Sequence, residues 1–103
     1  MTNPSKFTWA DPTANTDGSP IASGEITGYQ VGVRSSGGAA GTYPTLVSAA
    51  ATDSSAVVPA LAAGSYAAAV QTLSASNGNS AWSGEVTFSI VASPNPPSGF
   101  TVA

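Results

Sequence analysis

Proline decides what this chain can fold into. It stands at positions 4, 12, 20, 44, 59, 94, 96 and 97. A proline inside a helix removes a backbone donor and clashes with the preceding turn, so helices stop where prolines stand. The most alanine-rich stretch, residues 49–69, is broken by Pro59 and Gly64 and is rich in Ser, which denies it the continuity of a helix. Between the prolines the chain alternates with period two. Phe7 and Trp9 share a face in residues 6–10, as do Tyr29, Val31 and Val33 in residues 26–34. Tyr66, Ala68 and Val70 alternate in residues 65–74, and Val86, Phe88 and Ile90 in residues 85–91. Shorter runs at 43–48 and 56–58 bring the candidate strands to six. Short strands separated by turn residues predict an all-β antiparallel sandwich.

Material for chemistry is sparse. Ala, Ser, Thr and Gly fill 57 of 103 positions, while Leu, Ile, Val and Phe fill 18. A net charge of -3 is too small to keep the chain open by self-repulsion. A thin core is therefore expected, in which Phe7, Trp9, Tyr29, Val31, Leu61, Tyr66, Val70 and Phe88 each count. The absence of His and Cys removes zinc sites, disulfides, thiol nucleophiles and imidazole acid–base chemistry. Two basic side chains exclude an electrostatic footprint for nucleic acid. No run of about 18 apolar residues is present, so no membrane insertion is expected.

Four segments in order resemble the fibronectin type III domain. Phe7-Thr8-Trp9-Ala10-Asp11-Pro12 is similar to that family's second strand, whose Trp enters the core. Asn15-Thr16-Asp17-Gly18-Ser19-Pro20-Ile21 and Ile26-Thr27-Gly28-Tyr29-Gln30-Val31 resemble the following loop and third strand. Leu61-Ala62-Ala63-Gly64-Ser65-Tyr66 looks like the tyrosine corner, and Ser80-Ala81-Trp82-Ser83 like the Ser-x-Trp-Ser ending of the last loop. The resemblance runs from residue 6 to about residue 91. It implies an immunoglobulin-like β-sandwich over residues 1–92, followed by a Pro-rich extended tail over residues 93–103.

One departure stands out. The family's first strand belongs before Lys6, where five residues stand. Residues 97–103 look like such a strand instead, and they repeat residues 4–10 at five of seven positions. Pro97, Phe100 and Val102 are the tail residues that would carry a contact. The segment reads as the start of a next repeat, as an edge strand folded back on its own domain, as an arm added to a neighbouring subunit, or as a disordered end.

The loops supply the remaining candidates. In the resembled fold, residues 11–25, 49–55 and 76–83 gather at one end, which makes Asn15, Asp17, Glu25, Asp53, Asn77, Asn79 and Trp82 candidate interaction residues. Asp17 and Glu25 share a loop, but a domain this small offers no deep cleft for paired-carboxylate hydrolysis, so no enzymatic function is expected. The same residues resemble a calcium loop, with Glu25 one residue too late for an EF-hand, and Asx turns account for them more simply. No cofactor or metal is expected. Trp82 reads either as an exposed anchor or as a cover over the sheet edge. Lys6 and Arg34 read as solvated side chains, with a cation–π stack of Arg34 on Trp82 as the alternative. Tyr43 reads as edge filler.

These features point to a non-enzymatic structural module. Residues 1–4 are not followed by the basic and apolar stretches of a secretory signal, so a native start at Met1 would place folding in the cytoplasm. A capsid decoration or tail protein of a bacteriophage virion reconciles that start with an extracellular-type module. Its partners would be other virion proteins or further copies of itself. Two alternatives stand beside it. One is a spacer of a secreted carbohydrate-active enzyme, and the other an adhesin that meets a cell-surface glycan or receptor through its loop end.

Overall fold

A computed structural model describes residues 3–75, 78–99, 101 and 102. The described residues form six strands: β1 (Lys6–Thr8), β2 (Ile26–Ser35), β3 (Thr45–Ala50), β4 (Ser55–Val57), β5 (Gly64–Ser74) and β6 (Val86–Ile90). None of them is helical. Strands β3-β2-β5-β6 form one sheet and β1-β4 a second, and every pairing is antiparallel. The expectation of an all-β antiparallel protein therefore holds, with a sandwich-like arrangement of two sheets.

Register explains which side chains meet. Val31 lies opposite Val70 and Val33 opposite Ala68, so both pairs project to the same face. Phe88 lies opposite Tyr66 on that face too. Tyr29, Val31 and Val33 are only 1–2% exposed and form the floor of the core. From the smaller sheet Phe7 and Ala56 pack down on it, joined by Trp9 just beyond β1. The Phe7 ring meets Phe88 edge-on at 5.7 Å, Phe88 stacks on Tyr66 at 5.6 Å, and Trp9 leans on Tyr29 at 5.4 Å. Such ring pairs are worth about 0.5–1.5 kcal/mol each beyond their buried area.

The core is thinner than the residue list alone predicts. Phe7, Trp9, Leu61, Tyr66, Val70 and Phe88 are half-buried. The reason is coverage, because β1 and β4 are three residues each and roof over strands up to 11 residues long. Val86 shows the shortfall directly. It faces inward opposite Ala68, yet it is 68% exposed.

Strand positions follow the alternation closely, except that β1 stops at Thr8, the run expected at 56–58 is observed at Ser55–Val57, and one run shifts by two residues. The run expected at 43–48 is observed at Thr45–Ala50. Pro44 has no N–H to give to a ladder, and Tyr43 turns out of the strand to cover β2.

The corner before β5 is tied by one bond. The Tyr66 hydroxyl donates to the Ala62 carbonyl at 2.6 Å. Beyond β6 the chain pairs briefly with its beginning, since the Val91 N–H donates to Asn3 Oδ1 at 2.9 Å. From Val91 onward every described residue is exposed and outside any strand. The tail stretches the molecule to 70 × 30 × 21 Å, with a radius of gyration of 18.0 Å. A compact chain of this length has a radius of about 13 Å.

Replacing Tyr66 with Phe removes the corner bond while keeping the ring against Phe88. Urea unfolding should show a loss of about 1 kcal/mol, the net worth of one such hydrogen bond. An unchanged midpoint would mean that the bond does not secure the corner.

Candidate functional site

The loops at one end of the sheets border a shallow cleft with both polar and apolar side chains in its lining. Ile26 pairs with Ser74 and Gly28 with Ala50, so the segments before β2, after β3 and after β5 all leave the sheet at this end. The first and third of these segments border a cleft of about 620 Å³ that includes Asn15, Asp17, Glu25, Thr72 and Asn79.

Local bonding shows why these residues stand where they do. Asp17 Oδ1 accepts from the Ser19 N–H at 2.9 Å and from the Ser19 hydroxyl at 2.6 Å. The Gly18 N–H donates to the Asn15 carbonyl at 2.9 Å, with Gly18 at φ +85°, where a side chain would be strained. The Asn15 amide donates to Ser19 Oγ and to the Pro20 carbonyl, both at 3.1 Å. The turn thus closes on itself as an Asx-type cap. Hydrogen bonds from Ser19 hold the Asp17 carboxyl below its usual range. Glu25 accepts from the Ser74 hydroxyl, and Asn79 Oδ1 accepts from the Ser74 N–H at 3.1 Å.

The other loop candidates do different work. Asp53 lies outside the cleft lining and closes the β3–β4 turn, with Oδ2 accepting from the Ala50 N–H at 3.1 Å. Asn77 and Phe100 lie outside the described residues. No group of three or more acidic side chains is gathered in metal-binding geometry among the described residues.

Trp82 is set apart from the cleft by the serines around it. The Ser80 N–H donates to the Thr72 carbonyl at 2.9 Å, and the Thr72 N–H returns a bond to Ser80 Oγ at 2.8 Å. Ser83 makes the same reciprocal pair with Val70, at 2.8 and 3.0 Å. The two serines clip this segment to the edge of β5. Trp82, between them, is half-buried and packs on Tyr43 with ring centroids 4.6 Å apart. Of the two sequence readings, the geometry matches a cover rather than a free anchor.

Tyr43 lies over Gly32 so closely that a Cβ at position 32 would sit 2.4 Å from its ring. The Tyr43 hydroxyl donates to Glu85 Oε2 at 2.7 Å. Glu85 also receives Arg34 in a bidentate pair, Nε to Oε2 at 2.8 Å and Nη2 to Oε1 at 2.6 Å. Arg34 Nη1 donates to the Ser35, Ser36 and Gly38 carbonyls at 2.9–3.3 Å, which fastens the glycine-rich hairpin loop. This corrects the reading of Arg34 as solvated or stacked on Trp82. Its side chain is 12% exposed and its guanidinium is spent on Glu85 and the loop. The cluster lies on the face of the large sheet opposite the core, where Ala67 pairs with Arg34 and Ala69 with Gly32. Ala67 and Ala69 are therefore buried, at 1% and 4% exposure, although they point away from Val31 and Val33. Sequence reasoning missed this cluster; Gly32, a glycine between valines in a strand, was its one signal.

The Arg34 hydrogen bonds, followed by that of Tyr43, hold the Glu85 carboxyl at about 2. Burial and the bond to Glu85 push the Tyr43 phenol up. A depressed carboxyl pKa contributes stability that is whole above the unfolded value near 4.5 and is lost as pH falls toward about 2. Glu85→Gln should flatten that part of the stability–pH curve in chemical denaturation, while curves of equal slope would refute the assignment. Gly32→Ala should cost about 1–3 kcal/mol through overpacking against Tyr43, read as a lower thermal midpoint. Unchanged Trp fluorescence and midpoint would show that the ring does not rest there.

Comparison with family models, curated proteins and solved structures found no match for this chain.

Proposed function

We propose that the chain is a fibronectin type III-like sandwich serving as a non-enzymatic accessory module of a bacteriophage virion, acting through protein–protein contacts. Support for the fold type comes from three local geometries that lie where the resembling motifs lie. They are the Tyr66–Ala62 corner, Trp9 in the core, and the Ser80/Ser83 clip around Trp82. Support for the contact role rests on one observation. Leu46, Val57 and Val86 are 52–71% exposed on a frame whose clustered polar groups are largely spent on internal bonds. Apolar side chains on a rigid sheet, beside an open strand edge, suit contact by shape.

The loop-end cleft favours a second reading, glycan or receptor recognition. Asn15, Asp17, Glu25 and Asn79 place amide and carboxyl groups around one opening. On this reading Asn79→Ala abolishes binding in a glycan screen.

Particles purified on a density gradient from cells producing the chain test the first reading. The chain should co-migrate with capsids or tails at fixed stoichiometry by mass spectrometry. A chain found wholly in the soluble fraction, or secreted free, refutes it.

A further inference from the structure

The smaller sheet is open along one side. The Ser5 carbonyl accepts from the Val58 N–H at 3.1 Å, and the Trp9 N–H donates to the Ser54 carbonyl at 3.0 Å. By strand alternation, Lys6 and Thr8 turn their backbone N–H and C=O groups to the opposite edge, where no strand pairs with β1 among the described residues. Beside that edge runs a groove of about 620 Å³ between β1 and β6, lined by Phe7, Trp9, Val31, Val70, Val86 and Phe88. Its wall is unfinished: Val86 points inward yet is 68% exposed, and the buried Trp9 indole N–H has no partner among the described residues.

We propose that this groove seats residues 97–103 of a second copy of the chain, added to β1 as an antiparallel strand. The segment Pro97-Ser98-Gly99-Phe100-Thr101-Val102-Ala103 repeats residues 4–10 at five of seven positions, so it carries the same strand pattern as β1 itself. Phe100 and Val102 fall on one side of that pattern and supply an aromatic and a branched side chain for an apolar groove. In the single copy Val102 is 92% exposed.

The tail's point of departure selects a second copy over its own. The Val91 N–H is bound to Asn3, so the tail leaves at the end where β1 begins. Pro94, Pro96 and Pro97 then hold the backbone extended, at about 3.1 Å per residue, which carries the segment away from its own groove. An antiparallel strand beside β1 enters from the Trp9 end. A donor copy therefore stands beyond the loop end of its acceptor, and repetition gives an open head-to-tail row.

The inference rests on the reading of the chain as an assembly module, and the two fail separately. Particles lacking the chain refute that reading and leave self-association standing. A monomeric chain refutes the docking and leaves incorporation into particles standing.

The test uses the full chain unaltered, with Val86→Arg in the groove, and with Val102→Asp in the tail. Both positions are exposed, so folding should be kept, which circular dichroism checks. In sedimentation the unaltered chain should form oligomers that lengthen with concentration. Each variant alone should associate about tenfold or more weakly, the scale of losing one buried anchor. An equimolar mixture should give a one-to-one dimer and nothing larger, because one variant keeps only a working tail and the other only a working groove. An unaltered chain that stays monomeric, or a mixture that forms no dimer, overturns the proposal. So does a monomer whose melting temperature falls with Val102→Asp, since the tail then folds onto its own copy.

Discussion

The ladder between β2 and β5 carries the rest of the structure. It joins the two longest strands, and its register sets the content of both sheet faces at once. On one face Val31 and Val33 meet Val70 and Ala68 and form the floor on which the smaller sheet rests. On the other, Arg34 meets Ala67 and Gly32 meets Ala69, which leaves a depression for Tyr43. A slip of one residue would exchange these faces, placing valines under Tyr43 and Arg34 in the core. The small residues are thus a condition of the fold. Both faces of the sheet centre are covered, and only Gly and Ala leave room on the second.

That double cover explains how a chain with so few large side chains holds its shape. The core proper is shallow, because a two-stranded roof lies over a four-stranded floor. The opposite face adds a second layer made from two segments far apart in sequence, Arg34 with Tyr43 and Trp82 with Glu85. Its polar groups are matched to one another, so little of their bonding capacity is left exposed. The open side of the sandwich beside β1 has no such compensation.

The two layers were unequally legible in the sequence. Strands β2, β5 and β6 were readable because alternation of bulky and small residues is a local signal. The Asn15–Ser19 turn was readable for the same reason, since an Asx turn closes within a few residues. The second layer was not. Arg34 and Glu85 are 51 residues apart and Tyr43 and Glu85 are 42 apart, and each alone resembles an ordinary solvated or edge residue. Partial burial of Phe7, Trp9 and Phe88 was also hidden, because it depends on how much roof two three-residue strands provide. The loop candidates shared this limit. Position on a loop did not distinguish Asp53, which closes a turn, from Asn79, which borders the cleft.

The Arg34–Glu85 pair has a kinetic consequence. The chain has two basic side chains, and this pair consumes one of them. Lys6 then remains as the only unpaired cation among the described residues. Copies of the chain, each at a net charge of -3, offer one another little opposed charge, so no electrostatic steering would raise the proposed self-association above the roughly 10⁵–10⁶ M⁻¹s⁻¹ of unsteered encounters. The lifetime of the proposed contact between copies would then be set by how slowly apolar surfaces and strand edges come apart. On that proposal added salt screens the repulsion between like-charged copies and does not dissolve the row.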